Sequence, residues 1–317
     1  MSRGAWIRVL LLTLVMSSSC GNDDKSVGPT SIFPVHQTEP SWGGARIAYR
    51  DVGITCVTST GAYLTDSSLA GIFILDRGTG SRNRFRSEGS YPSLTRDGRK
   101  IAFSLDGQIM AGSVDSAGVT AITDQGTNIL PRWDPTGQFI AFDSDVGDNQ
   151  GRLFVWVMRA DGSERHKVLT QGSGEVRMAD WNPSGTILVH IRYPPGVNGA
   201  SEIYVMDTTG TGVMRLTNNT AMDLYPRFSP QGDRIAFSRQ SEGQVPQVWV
   251  MNADGSGQHQ VTSLGGTLPE WSLDGDSLLY VRENWKMNSS AYGVVAIHSL
   301  VAGSEESVTS RHPSQCP

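Results

Sequence analysis

The chain is poor in the residues on which most recognisable chemistry is built. Cysteine occurs three times in 317 residues, and cysteine and histidine nowhere share the regular spacing of a zinc site. His36, His166, His190, His259, His298 and His312 stand singly. There is no His-Glu-x-x-His run, no Gly-x-Ser-x-Gly elbow and no P-loop. Cations are outnumbered, 26 Lys and Arg against 31 Asp and Glu, for a net charge of −5. No basic field therefore favours nucleic acid. Past the N-terminus no apolar run is long enough for a membrane span, and no long amphipathic helical pattern appears. No catalytic residue, metal ligand or cofactor is assigned on this reading. Asp143-Ser144-Asp145 with Asp148-Asn149 has the flavour of a calcium loop but lacks its order and distal Glu; a solvated acidic turn is expected instead.

What the chain has is glycine, 36 residues, and one phrase that returns. It reads Pro131-Arg132-Trp133-Asp134-Pro135-Thr136-Gly137 followed by Ile140-Ala141-Phe142, then Pro226-Arg227-Phe228-Ser229-Pro230-Gln231-Gly232 with Ile235-Ala236-Phe237, then Pro269-Glu270-Trp271-Ser272-Leu273-Asp274-Gly275 with Leu278-Leu279-Tyr280. Degraded copies begin at Pro40, Pro92 and Ala179. A repeat every ~40–50 residues suits a four-stranded blade with its loops. The Pro-x-Trp piece is a short strand. Asp134, Asn182, Ser229 or Ser272 then opens a tight turn that glycine closes. An apolar second strand follows, then a variable loop, a third strand such as Val248 to Met251, and a last short strand ending in Leu216-Thr217 or Val261-Thr262. Four antiparallel strands bury both faces only when stacked around an axis. The expected fold is all-β, a six-bladed β-propeller of four-stranded antiparallel blades over residues 39–311, with 312–317 as a tail.

These phrases, with the YVMD and WVMN strands, resemble the PD40 (TolB-type, WD40-like) propeller repeat across about residues 40–310. The resemblance implies a six-bladed propeller that often binds other proteins. Two copies depart from it. Trp42-Gly43-Gly44-Ala45 is two residues short and lacks the Ser-Pro-Asp-Gly turn, and Leu94-Thr95-Arg96-Asp97-Gly98 has neither Trp nor Pro. Neither the α/β domain nor the hydrolase domain that accompanies the propeller in parts of the family is read here, so neither role is carried over.

Residues 1–20 read as a secretory signal: Arg3 and Arg8, apolar Val9 to Met16, then Ser17-Ser18-Ser19 before Cys20. The small residue before Cys20 resembles a bacterial lipoprotein processing site, although Ser17 stands where leucine is usual; ordinary signal cleavage is the alternative. Residues 21–38 form a polar tether, and Gly21 after the cysteine is compatible with outer-membrane sorting. The expected location is the bacterial cell envelope, lipid-anchored on the periplasmic side of the outer membrane, or else secreted. An oxidising compartment permits a disulfide between Cys56 and Cys316, which would staple first blade to last; two unpaired thiols are the alternative. By pattern the last unit holds its own third strand, Gly293 to His298, and a fourth, Glu306 to Ser310, while residues 31–38 offer an outer strand as another way to close the ring.

In a propeller the short repeated turns open on one face and the longer connections on the other. Residues 51–70, 143–151, 192–201, 239–246 and 282–291 are the long irregular connections, where recognition is expected. Arg192, Tyr193, Arg239, Trp285 and Lys286 are the candidate anchors there, being the residue types that dominate interfaces; packing under their own loops is the alternative. Between the proline and aromatic positions stand Arg132, Asp180, Arg227 and Glu270. They are expected near the axis, lining a polar channel or, more simply, compensating one another. The leading function is a non-enzymatic envelope binding protein that presents one face to a protein or glycan. The alternative is a metal-assisted polysaccharide lyase or hydrolase with histidines and carboxylates converging at the axis.

Overall fold

The computed structural model describes residues 37–51, 54–57, 63–65, 70–116, 118–168, 174–193, 200–286 and 289–307. The signal segment, most of the tether, Cys20, Cys316 and the Cys56 side chain lie outside that set. Every regular element among the described residues is a β-strand. The first sheet runs Gln37–Gly43, Arg46–Asp51, Gly71–Asp76, Arg82–Arg86 from inside out, and the second Ser90–Leu94, Lys100–Leu105, Gln108–Ser113, Val119–Ala121. Further four-stranded sheets run Met222–Phe228 to His259–Gln260 and Thr267–Trp271 to Glu305–Ser307. Between them an eight-stranded sheet contains two antiparallel meanders, Asn128–Trp133 to His166–Lys167 and Val176–Trp181 to Met214–Arg215. A single parallel pair, Phe154 with Val176, joins the two. This is a propeller of antiparallel four-stranded blades.

Local chemistry explains the first turn of each meander. Gly137, Gly185, Gly232 and Gly275 donate their N–H to the carbonyls of Asp134, Asn182, Ser229 and Ser272 at 2.9–3.0 Å, and their φ of 66–78° is the left-handed region that glycine enters without a Cβ penalty. The turn-opening side chain then reaches forward. Asp134 Oδ1 accepts from the N–H of Gln138 and of Phe139, both at 2.7 Å, and Ser229 Oγ accepts from Arg234 N–H at 3.0 Å. In the degraded second copy Thr95 takes the same part, accepting from Lys100 N–H at 3.0 Å.

All innermost strands but the first, Gln37–Gly43, carry a feature that their sequence hides. Tyr91, Leu130, Met178, Tyr225 and Leu268, one residue before the anchor position, have φ between 52 and 59°. The register with the second strand slips at each of these points. These are β-bulges whose bulged residue is left-handed, at a cost of roughly 1–3 kcal/mol each. Two of the freed N–H groups are taken by the neighbouring meander: Met178 N–H donates to Asp143 at 3.0 Å and Leu268 N–H to Ser238 Oγ at 3.1 Å.

Core clusters lie between consecutive meanders. Ile101 and Phe103, for example, pack with Ile72 and Leu94, and Phe237 packs with Ile191 and Ile203. Each such side chain is fully buried or nearly so, for about 1.5–3 kcal/mol apiece. One cluster joins Ile47, Tyr49 and Phe73 of the first sheet to Leu279, Val295 and Ile297 of the last. First and last sheets therefore meet through apolar side chains, each built from its own consecutive strands. Residues 37–43 form the innermost strand of the first sheet, which corrects the outer-strand alternative for that segment.

Indole N–H groups stitch neighbours at the hub. Trp133 donates to the Ser93 carbonyl at 3.2 Å, Trp181 to Arg132 at 3.1 Å and Trp271 to Arg227 at 3.0 Å. Trp42 instead donates to Gly44 in its own sheet. Two expected loops are also more regular than their sequences suggest. Residues 51–70 contain the hairpin Ile54–Val57 with Tyr63–Thr65. Residues 282–291 extend the pair Ser277–Lys286 and Ser289–Ser299, whose pairing runs out to Lys286 and Ser289. Antiparallel pairing satisfies the backbone there without help from the rest of the fold.

Candidate functional site

The residue between the proline and aromatic positions points to the axis, and four of these side chains meet there. Arg132 donates from Nη1 and Nη2 to the two carboxylate oxygens of Glu270, at 2.5 and 2.8 Å, and from Nε to Asp180 at 3.3 Å. Arg227 Nε donates to Glu270 Oε1 at 3.0 Å, and Phe228 N–H donates to Asp180 Oδ2 at 3.0 Å. The four side chains are only 6–15% exposed. Burial opposes both ionised forms of the Arg132–Glu270 pair. The facing charges outweigh it, raising the Arg132 pKa and lowering that of Glu270. For Asp180 burial wins over Arg132 and Arg227, and its pKa is raised. Two cations and two carboxylates thus close a neutral layer across the hub, which is the mutual compensation expected for mixed signs.

The two mouths above and below this layer differ. On the side of the bulges, Tyr91, Leu130, Leu268 and the prolines at 40, 92 and 131 leave a void of about 20 Å³ over Arg132, Arg227 and Glu270. On the side of the repeated turns a depression of about 130 Å³ opens. Its walls are Trp42, Trp133, Trp181, Phe228 and Trp271, its rim Pro135, Pro183, Pro230 and Leu273, and its floor the charge layer. Leu273 is 37% exposed. Arg96, exposed, stands at the rim position that three other copies fill with proline. The larger axial depression therefore lies on the uniform turn face, whereas sequence reasoning looked for recognition on the loop-rich face. The one signal for it in the sequence is the same repeated Trp and Pro that marked the scaffold.

Of the candidate anchors of the loop-rich face, Arg192, Tyr193 and Arg239 have described side chains, each packed or paired within its own meander. Arg192 ends the strand Ile187–Arg192, half-buried, with its guanidinium 5.2 Å from the Tyr204 ring centre. Tyr193 beside it packs against the Ile191 and Ile203 cluster, and burial raises its pKa. Arg239 is committed to the fold: it donates from Nε and Nη2 to the two oxygens of Asp223 at 2.7 and 2.9 Å, and lies over Phe237 and Trp249. Asp223 is fully buried, so the pair replaces hydration lost by a carboxylate with two charge-assisted hydrogen bonds. Trp285 and Lys286 lie in the last sheet's long hairpin, and their side chains fall outside the described residues.

Among the described residues, the histidines take places away from the hub. His166 and His259 sit in outermost strands, exposed, and His298 in a third strand. His190 is fully buried in a second strand, stacked at 5.9 Å on Tyr204, with neither ring nitrogen hydrogen-bonded. Burial, aided by Arg192, pushes its pKa down to about 3. Among the described residues no group of three or more His, Cys, Asp or Glu could hold a metal ion. The expected acidic turn divides: Asp148 binds Arg152 at the surface, but Asp143 is buried beside Arg177 and the Met178 N–H. Burial pushes Asp143 up to about 6. Its place in the strand Phe139–Ser144, facing the neighbouring bulge, makes it a structural acceptor rather than a solvated residue.

Residues 196–317 match the PD40 family model, described as the TolB beta propeller domain. Among curated relatives, an uncharacterized protein of Agrobacterium fabrum is 26% identical over 47% of this chain and 53% of its own length. The Tol-Pal system protein TolB of Francisella tularensis subsp. mediasiatica is 29% identical over 35% of this chain and 26% of its own. The chain spans about half or less of the curated relatives it matches. Among solved structures, a putative TolB from Agrobacterium tumefaciens superposes with TM-score 0.62 at 20% identity, covering 73% of this chain and 85% of that one. TolB from Acinetobacter baumannii gives 0.64 at 20% identity over 82% and 62%. An oligogalacturonate lyase in complex with manganese gives 0.54 at 10% identity over 86% and 75%. Likeness at these identities speaks to the fold alone.

Proposed function

We propose that this chain, which carries a PD40 TolB-type β-propeller domain, is a six-bladed, non-enzymatic binding protein of the bacterial envelope. The six-blade count takes the eight-stranded sheet as two blades that share one bridge. It is supported by core clusters between successive meanders and between last and first. The observation that carries the binding reading is the neutral layer at the hub: Arg132, Arg227, Asp180 and Glu270 saturate one another. The aromatic-walled, Arg96-rimmed depression on the turn face is left as the surface offered to a protein or glycan partner. The partner is met by shape and rim chemistry on a rigid ring.

Cross-linking in intact cells, followed by capture of the protein, tests this. Partner recovery should fall when Arg96→Glu and Leu273→Glu are combined on the turn face. If Arg192→Glu with Tyr193→Ala abolishes recovery and the turn-face pair does not, the loop-rich face is the one used. The alternative, a propeller lyase or hydrolase, draws on the fold likeness to oligogalacturonate lyase. Turnover of oligogalacturonate with a divalent cation, lost in Arg132→Ala, would replace the binding reading with an enzymatic one.

The envelope location includes a lipid on Cys20. Radiolabelled palmitate should enter the wild-type chain in a bacterial host and be lost in Cys20→Ser; label retained in that variant overturns the anchor.

A further inference from the structure

The second copy of the repeat carries a basic turn. Where other copies place Pro135, Pro183, Pro230 or Leu273, it has Arg96. Where they follow the glycine with Gln138, Thr186, Asp233 or Asp276, it has Arg99, and Lys100 comes next. Arg96, Arg99 and Lys100 are exposed. The short first turn holds this one in place. Gly44 N–H donates to the Arg96 carbonyl at 2.9 Å, and Arg46 Nη1 donates to the Gly98 carbonyl at 3.1 Å. The two turns touch through glycine: a Cβ on Gly98 would stand 2.4 Å from the Gly43 carbonyl oxygen. The backbone that carries Arg96 is thereby fixed while its side chain is spared. Among the described residues no hydrogen bond or ion pair engages that guanidinium.

On its other side the basic turn faces the turn of the third meander across a cleft of about 360 Å³. Thr95, Arg96, Asp97, Lys100, Pro135 and Thr136 line it. Lys100 Nζ reaches the Gly137 carbonyl only at 3.5 Å, long for a hydrogen bond. Asp97 is engaged locally, accepting from Thr95 Oγ1 at 2.6 Å and from the Arg99 N–H at 3.0 Å. Two cations against one carboxylate leave the lining one net positive charge. That suits a single carboxylate better than a phosphate of charge near −2. The fifth and sixth turns, with exposed Asp233, Asp274 and Asp276, disfavour an anion.

The lining also separates a sugar from a peptide. A peptide anchors through a large apolar or aromatic side chain packed in a desolvated pocket, and Pro135 is the one apolar side chain lining this cleft. A sugar ring bearing a carboxylate uses what is there, namely hydroxyls, carbonyls and charge. The volume lies at the lower end of the ~300–1,000 Å³ of small-molecule sites.

We propose that the cleft between the second and third turns binds a hexuronic acid unit of an acidic glycan. Arg96 and Lys100 hold its carboxylate, and its hydroxyls face Asp97 and Thr136. The proposal rests on the turn face being the binding face, and Arg96 is common to the cleft and the axial depression.

Calorimetric titration of the full chain with trigalacturonate, in EDTA to silence a metal-assisted lyase, tests it. The sugar should bind, more weakly as salt rises, and its methyl ester should bind about tenfold more weakly or worse. Arg96→Gln with Lys100→Gln should cause a similar loss with unchanged circular dichroism, whereas Leu273→Ser, which alters the axial depression alone, should leave the affinity unchanged. If Leu273→Ser removes sugar binding and the Arg96 and Lys100 pair does not, the depression is the seat and the cleft falls while the binding reading survives. Absence of sugar binding, or equal binding of acid and ester, overturns the cleft; partner capture in cells then judges the binding reading by itself. Tighter binding of a triglutamate peptide or of inorganic phosphate than of the sugar also overturns the assignment.

Discussion

Arg132 and Glu270 lie 138 residues apart in the chain, yet share two hydrogen bonds of 2.5 and 2.8 Å at the hub of the propeller. The pair joins two non-adjacent meanders directly, and Arg227 and Asp180 complete the set. Removing Glu270 leaves two buried guanidiniums with Asp180 as the one remaining carboxylate of the set. Glu270→Ala should cost about 3–5 kcal/mol, read as a lower urea midpoint with unchanged slope. Arg132→Ala with Glu270→Ala should recover part of that loss, and the cycle should give a coupling of about 0.5–3 kcal/mol. Strict additivity would show that the pair is not energetically linked.

His190 occupies a position that the other copies fill with Tyr49, Phe103, Phe142, Phe237 and Tyr280. The imidazole is buried without a hydrogen bond, so His190→Phe should stabilise the protein by about 1–3 kcal/mol. The same change should alter the acid limb. A histidine whose folded pKa is depressed from 6.5 to about 3 binds its proton in the unfolded chain first. Its contribution is present above the unfolded value and is lost as pH falls from about 6.5 toward 3, by up to about 1.4 kcal/mol per pH unit. Asp143, raised to about 6, acts in the opposite direction over part of that range. The informative quantity is therefore the difference between wild type and variant, which should widen steadily below pH 6.5. A constant difference would mean that His190 titrates normally in the fold.

The indole stitches make a smaller claim. Trp181→Phe keeps an aromatic ring but removes the five-membered part of the indole with its donor to the Arg132 carbonyl, and should cost about 1–3 kcal/mol by thermal or urea unfolding, from lost packing and the lost bond together. Trp42→Phe removes only a bond within its own sheet, so it should leave the contact between neighbouring meanders unchanged. Equal losses in local hydrogen-exchange protection across sheets would contradict that contrast.

Free-thiol titration of the mature, unreduced protein bears on the remaining cysteines. If Cys56 and Cys316 form the expected staple, neither reacts until a reductant is added, and reduction lowers the unfolding midpoint. Two reactive thiols before reduction remove the staple.

The sequence revealed most where its chemistry is local. The turn residues Asp134, Asn182, Ser229 and Ser272 were readable because their bonds close within a few residues. Arg132, Asp180, Arg227 and Glu270 were readable as a group because equivalent positions in a closed repeat must converge. Arg239 was misjudged as a surface anchor, although its partner was within reach: the Ser229 turn sets Asp223 directly opposite it in register. His190 was passed over as one of several scattered histidines, although aligning the second strands isolates it at once. The turn-face depression had only the repeated Trp and Pro as its signal, and these read first as scaffold because the hollow depends on how walls from several repeats converge.

The left-handed residue ahead of each anchor has a consequence for which substitutions the chain tolerates. A β-branched side chain is the hardest to place at positive φ. Positions 91, 130, 178, 225 and 268 hold Tyr, Leu, Met, Tyr and Leu. None is Val, Ile or Thr, the residues a strand would otherwise favour. The hub thus imposes a prohibition that recurs at five of the anchors, in a place where strand propensity alone would argue for the forbidden residues.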